Sequence, residues 1–127
     1  MSYEVSDVEF EQLLHKAIEQ LPARWRLTIE SEVPVRVEPR SSPKLLRELG
    51  MEEDELLLGL HEGTALTDRH LEDHARLPDV ITLFKQDIEE ASEDREDLVE
   101  QVRITLLHEL GHHFGLDEDD LERLGYA

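Results

Sequence analysis

Between residues 95 and 114 the chain places Leu98, Val99, Val102, Leu106, Leu107, Leu110 and Phe114 at helical spacing. At about 100° per residue these side chains fill roughly half the circumference of a helix, a wider arc than water tolerates, so other elements must cover it. Gly115 follows, a residue that can take the left-handed conformation in which helices end and chains reverse. The cover has to come from the rest of a 127-residue chain, a length that suits one domain spanning residues 1–127.

The remaining sequence offers one long helix and several short strands. Phe10, Leu13, Leu14, Ala17, Ile18 and Leu21 share one face of a helix expected over residues 7–20, with Ser6 and Glu9 as its capping box and Pro22 as its stop. Over residues 27–37 the pattern turns to period two, with Val33, Val35 and Val37 on one side, and Pro34 confines this first strand to an edge or a bulge. A short helix over 44–49 is stopped by Gly50, and the apolar run 56–60 reads as a second strand leading into His61-Glu62-Gly63. Thr67 or Asp68 is placed to cap a helical turn running to His74, residues 80–84 read as a third, buried strand, and 85–91 as a helix. The mixture of helices with a small sheet predicts an α/β chain of the α+β kind.

No cysteine is present, so a metal in this protein must be held by His, Asp or Glu, and disulfide frameworks and thiol nucleophiles are excluded. His108-Glu109-Leu110-Gly111-His112 matches H-E-x-x-H on the long helix. Residues four apart on a helix stand one above the other, so both imidazoles can meet one zinc ion at ~2.0–2.1 Å. Glu109 lies about 100° around the helix from His108, out of line for ligation and within reach of a zinc-bound water, where a carboxylate serves as general base. Zinc lowers the pKa of such a water toward ~7 and polarises the carbonyl that the resulting hydroxide attacks.

A catalytic zinc generally takes three protein ligands. Gly115 stands where the longer pattern H-E-x-x-H-x-x-G-x-x-H has its glycine, and Glu118 stands at the third-ligand position. Asp117 and Asp119 are the neighbouring alternatives; Asp117 with Asp120 also reads as a helix cap before residues 121–124, which favours Glu118 as the ligand.

At these residues the chain resembles the zincin-like metallopeptidases described as minimal zincins. The resemblance runs through Leu58-Gly59-Leu60-His61-Glu62-Gly63, the stretch 77–84, the block 105–116 and the tail 120–126. It implies a short twisted mixed sheet of about three to four strands packed against the N-terminal helix and the H-E-x-x-H helix. It also implies a Zn2+ cofactor, peptide-bond hydrolysis on a peptide or protein substrate, and a cleft lined by residues 56–60. Both methionines, Met1 and Met51, precede the motif, and nine residues follow Glu118, so neither a Met-turn nor a later ligand helix is expected. A non-catalytic zinc-binding interaction module, with the same ligands and no turnover, is the alternative function.

The other candidates are read more plainly. His113 points into the apolar arc and is expected to be a hydrogen-bonded core histidine; His70 and His74, also four apart, are expected at the surface. His61 lies past the expected second strand, either against substrate or as a loop residue. Trp25 and Tyr126 are assigned to packing, and the acidic runs 52–55 and 89–97 to solvated ends, since neither has calcium-loop spacing. With 32 Asp plus Glu against 13 Lys plus Arg and a formal charge of -19, nucleic acid and membrane surfaces are not expected as partners. The N-terminus carries no secretory signal pattern, so a cytoplasmic monomer is expected.

Overall fold

A computed structural model describes residues 2–63 and 79–126. Helix α1 (Asp7–Glu19) starts at Ser6, whose hydroxyl accepts from the Glu9 backbone N–H, and buries Phe10, Leu13, Leu14 and Ala17. Helix α2 (Ala23–Ser31) takes the first five residues, 27–31, of the stretch whose alternation suggested a strand over 27–37. The alternation of Leu27 with Ile29 misleads because only Ile29 is buried, while Leu27 is 56% exposed. Thr28 and Ser31 donate their hydroxyls to the carbonyls of Arg24 and Leu27, four residues back, which is a helical pattern. The strand proper, β1 (Val35–Glu38), begins only after Pro34.

Helix α3 (Pro43–Glu48) and helix α4 (Lys85–Glu90) lie within a residue of expectation. Strand β2 (Gly59–Glu62) falls later than expected, because the leucine run 56–58 is an approach rather than a strand. The backbone N–H of Leu57 donates to Asp87 Oδ2 (3.0 Å), and Leu58 carbonyl accepts from Phe84 N–H (2.9 Å). Buried Asp87 also accepts from the N–H and hydroxyl of Ser41, so one carboxylate ties α4 to two loops.

Among the described residues, strand β3 (Val80–Phe84) is central in a three-stranded mixed sheet of order β1-β3-β2. It runs parallel to β1, with Val35 opposite Ile81, and antiparallel to β2, with His61 opposite Ile81 and Gly59 opposite Leu83. Helix α5 (Arg95–His113) packs on this sheet beside α1, and helix α6 (Glu118–Leu124) closes the described chain. The apolar arc of α5 is covered as its width demands: Leu98, Val102, Leu106 and Leu110 are fully buried with Phe10, Ile81, Leu83 and Ile88. The result is an α+β fold. Among the described residues no helix is long and apolar enough to cross a membrane. The expected helical turn ending at His74, together with His70, lies outside the described residues.

Candidate metal centre

Helix α5 starts from Asp94, whose side chain accepts from Asp97 N–H (2.8 Å), with Glu96 and Asp97 complementing the positive end of the helix dipole. Its other end determines the site. Gly115 takes a φ of 84°, its N–H donates to His112 carbonyl, and Leu116 N–H donates to Gly111 carbonyl. This pair of bonds is a Schellman closure, which turns the chain back along the face it has just left. Asp117 then caps α6 through a reciprocal box with Asp120. Its carboxyl pKa is lowered, first by accepting the Asp120 backbone N–H. Gly111 completes the docking: a side chain there would collide with Leu121, so the missing Cβ lets α6 lie on α5.

That docking carries Glu118 to the two motif histidines. Glu118 Oε1 is 3.0 Å from His112 Nε2 and 3.3 Å from His108 Nε2. The two rings stand 4.7 Å apart between centroids. His108 is oriented from behind, since its Nδ1 lies 3.1 Å from the carbonyl of Tyr126, which fixes Nδ1 as the donor and leaves Nε2 facing Glu118. Tyr126 is positioned by Gly125, at a φ of 81°, by its own N–H donating to Leu121 carbonyl, and by its ring against Trp25. Trp25 packs in turn on Phe114 at 5.2 Å, as expected of packing residues. The Tyr126 contact escapes sequence reading because a main-chain carbonyl has no residue-specific signature.

Glu109 is only 8% exposed and lies on the other side of the pair, with Oε1 3.5 Å from His112 Nδ1 and Oε2 3.9 Å from His108 Nε2. Its hydrogen-bonding carboxylate, ahead of Glu118, raises the His112 pKa against the opposing effect of burial. Strand β2 passes directly over this residue. A Cβ on Gly59 would stand 2.6 Å from Thr105 Cγ2 and 3.2 Å from Glu109 Cγ, so only glycine allows the edge strand so close to the helix. Between them lies a cleft of about 330 Å³ lined by Leu57, Leu58, Ile104, Thr105, His108 and Glu109.

The donor set suits zinc. Two imidazole nitrogens and a carboxylate oxygen are ordinary zinc ligands, and bonds of ~2.1 Å at tetrahedral angles put ligand atoms about 3.4 Å apart, close to the separations around Glu118 Oε1. The structure thus brings together His108, Glu109, His112 and Glu118. It commits Asp117 to the cap and leaves Asp119 exposed in the first turn of α6.

The family model for zincin-like metallopeptidases matches residues 30–126. The chain belongs to the zincin-like metallopeptidase family. Membership in this family implies a metal ion, usually zinc. A conserved hypothetical protein from Thermo thermophilus shares the fold, with a TM-score of 0.55 at 24% sequence identity over 94% of this chain and 97% of the other. No curated protein is significantly similar to the chain.

Two histidines lie elsewhere than expected or in unexpected company. His61 belongs to β2 rather than to a loop, and its side chain is 7% exposed. His113 is fully buried as expected, and it lies beside Asp79 and 5.8 Å, ring to ring, from His61.

Proposed function

We propose that this zincin-like chain is a zinc-dependent peptidase in which His108, His112 and Glu118 hold the metal and Glu109 is the general base. The observation that carries the reading is the meeting of one Glu118 oxygen with both Nε2 atoms at 3.0 and 3.3 Å. Zinc held there would acidify a water and polarise the scissile carbonyl.

The chain's own groups supply the rest. The Tyr126 carbonyl keeps the His108 proton on Nδ1, so Nε2 is available as a lone-pair donor. The Glu109 carboxylate takes the proton from the attacking water and returns it to the departing amine nitrogen. The low exposure of Glu109 keeps that carboxylate from full hydration, which strengthens its interactions within the site. Strand β2 pairs with β3 along one side only among the described residues. Its other side offers main-chain donors and acceptors to an extended peptide, which would pair there as an added strand with side chains reaching the Leu57–Ile104 cleft.

A digest of a broad peptide library by the zinc-loaded protein and by Glu109→Gln tests this. The expected result is cleavage by the wild type and a loss of about 10²–10⁴-fold in the variant, the range for a general base, with zinc still bound. Zinc retention without cleavage by the wild type would return the protein to a zinc-dependent interaction module. Undiminished cleavage by Glu109→Gln would remove the proposed mechanism.

A further inference from the structure

Behind the motif pair, three elements converge on a second group of donors. Asp79, just before β3, has a side chain 8% exposed, between His61 of β2, at 7%, and His113 of α5, at 0%. His61 Nε2 is 3.4 Å from Asp79 Oδ1, and His113 Nδ1 is 3.5 Å from Asp79 Oδ2. One ligand atom from each residue can be chosen so that all lie within 4.8 Å of one another.

We propose that His61, Asp79 and His113 form a second, buried site for a divalent first-row cation, with zinc as the reference ion. Each imidazole nitrogen stands from its own oxygen of the Asp79 carboxylate, Oδ1 for His61 and Oδ2 for His113, at close to the ~3.4 Å edge of a zinc coordination tetrahedron. With one ligand atom taken from each residue, every edge is at most 4.8 Å and closes to that value with about 1.4 Å of side-chain movement or less. Two imidazoles with one carboxylate and no thiolate suit zinc or iron(II) rather than calcium or magnesium. On the far side of the His113 ring, Glu32 Oε2 stands 3.8 Å from Nε2, within ion-pair distance and beyond hydrogen-bond length.

The main chain is shaped to bring these groups together. Gly63, directly after β2, has a φ of 124°, and a Cβ there would run into both the backbone and the carboxylate of Asp79. The end of the edge strand is thereby pressed against the carboxylate that the two histidines share. An ion at this point would pin β2, β3 and the last turn of α5 to one another, one residue from His112. Its role would be structural, and it is independent of whether the motif site turns over substrate.

The test separates the two sites by working where the motif pair is absent. Chelator-stripped full-length His108→Ala/His112→Ala is titrated with Zn2+ and assayed for bound metal and melting temperature. About one equivalent of zinc is expected to remain, with a higher melting temperature, since a ligand bound to the native state alone stabilises it. Adding His61→Gln or, separately, Asp79→Asn should abolish both effects, with circular dichroism confirming that each variant folds. The wild type should take up about two equivalents, one per site. The proposal is overturned if the double variant binds no zinc, or if its zinc survives both added substitutions.

Discussion

Asp117 and Glu118 stand side by side at the start of α6, and the capping of that turn separates their roles. Asp117 is held by Asp120 N–H, whereas Glu118 is free of the cap and reaches both motif histidines. Removing the proposed ligand oxygen should therefore weaken zinc binding at the motif site by at least about tenfold, the lower bound seen even for groups that merely support ligands. Competition titrations of Glu118→Ala and Asp119→Ala check this: the first should weaken binding and the second leave it nearly unchanged. Asp117 carries a pH dependence of its own. Its carboxyl pKa is depressed in the folded state, so the cap contributes stability above the unfolded value and loses it as pH falls through the folded value. In metal-free protein, Asp117→Ala should lower the melting temperature at pH 7, and the difference from wild type should shrink below about pH 4, the ordinary aspartate range. A constant difference down to pH 2 would contradict the cap assignment. His108, Glu109 and His112 are legible in sequence because their relation is set by one helical turn. Glu118 follows from an offset past a glycine. The Tyr126 carbonyl and the His61–Asp79–His113 group are not legible, since the first is main chain and the second depends on the register that sets His61 opposite Ile81.

Elements hold the site through two glycines that lack the Cβ any other residue would bring. Gly111 admits Leu121 and so seats α6, while Gly59 admits the edge strand over Glu109. Gly111→Ala should lift α6 from α5, and because Glu118 rides on α6 the variant should lose both melting temperature and zinc affinity. Truncating the fully buried Leu121 to Ala probes the same contact from the other side, at a cost of about 2–5 kcal/mol. If Gly111→Ala melts lower yet binds zinc as tightly as wild type, α6 does not position the ligand. At this scale the sequence is most readable where caps and periodicity agree, as at Ser6 for α1 and Asp117 for α6. It misleads at α2, where two apolar residues alternate by chance on a mostly exposed helix. It also misleads at β2, where Leu57 is held by Asp87 and the strand begins with the glycine that follows the leucines.

At the scale of the molecule, the half-apolar circumference of α5 dictates the architecture. Its covered face meets the sheet and α1, and outside that face the motif histidines are partly exposed, with the first residue of β2 lying over Glu109 between them in sequence. Of the 32 acidic residues behind the net charge of -19, the proposed site draws two, the buried Glu109 and the exposed Glu118, whose negative charge a bound cation would sustain. The proposed zinc site would draw its ligands from one helix, one reversal and one short helix docked against it, all within residues 95–124. The most direct measurement of that claim is an anomalous difference map, collected at the zinc edge, from crystals of the zinc-loaded protein. The expected result is a peak bonded to His108 Nε2, His112 Nε2 and a Glu118 carboxylate oxygen at ~2.0–2.2 Å. No peak between the two histidines, or one there whose third protein ligand is Asp117 or Asp119, would contradict it.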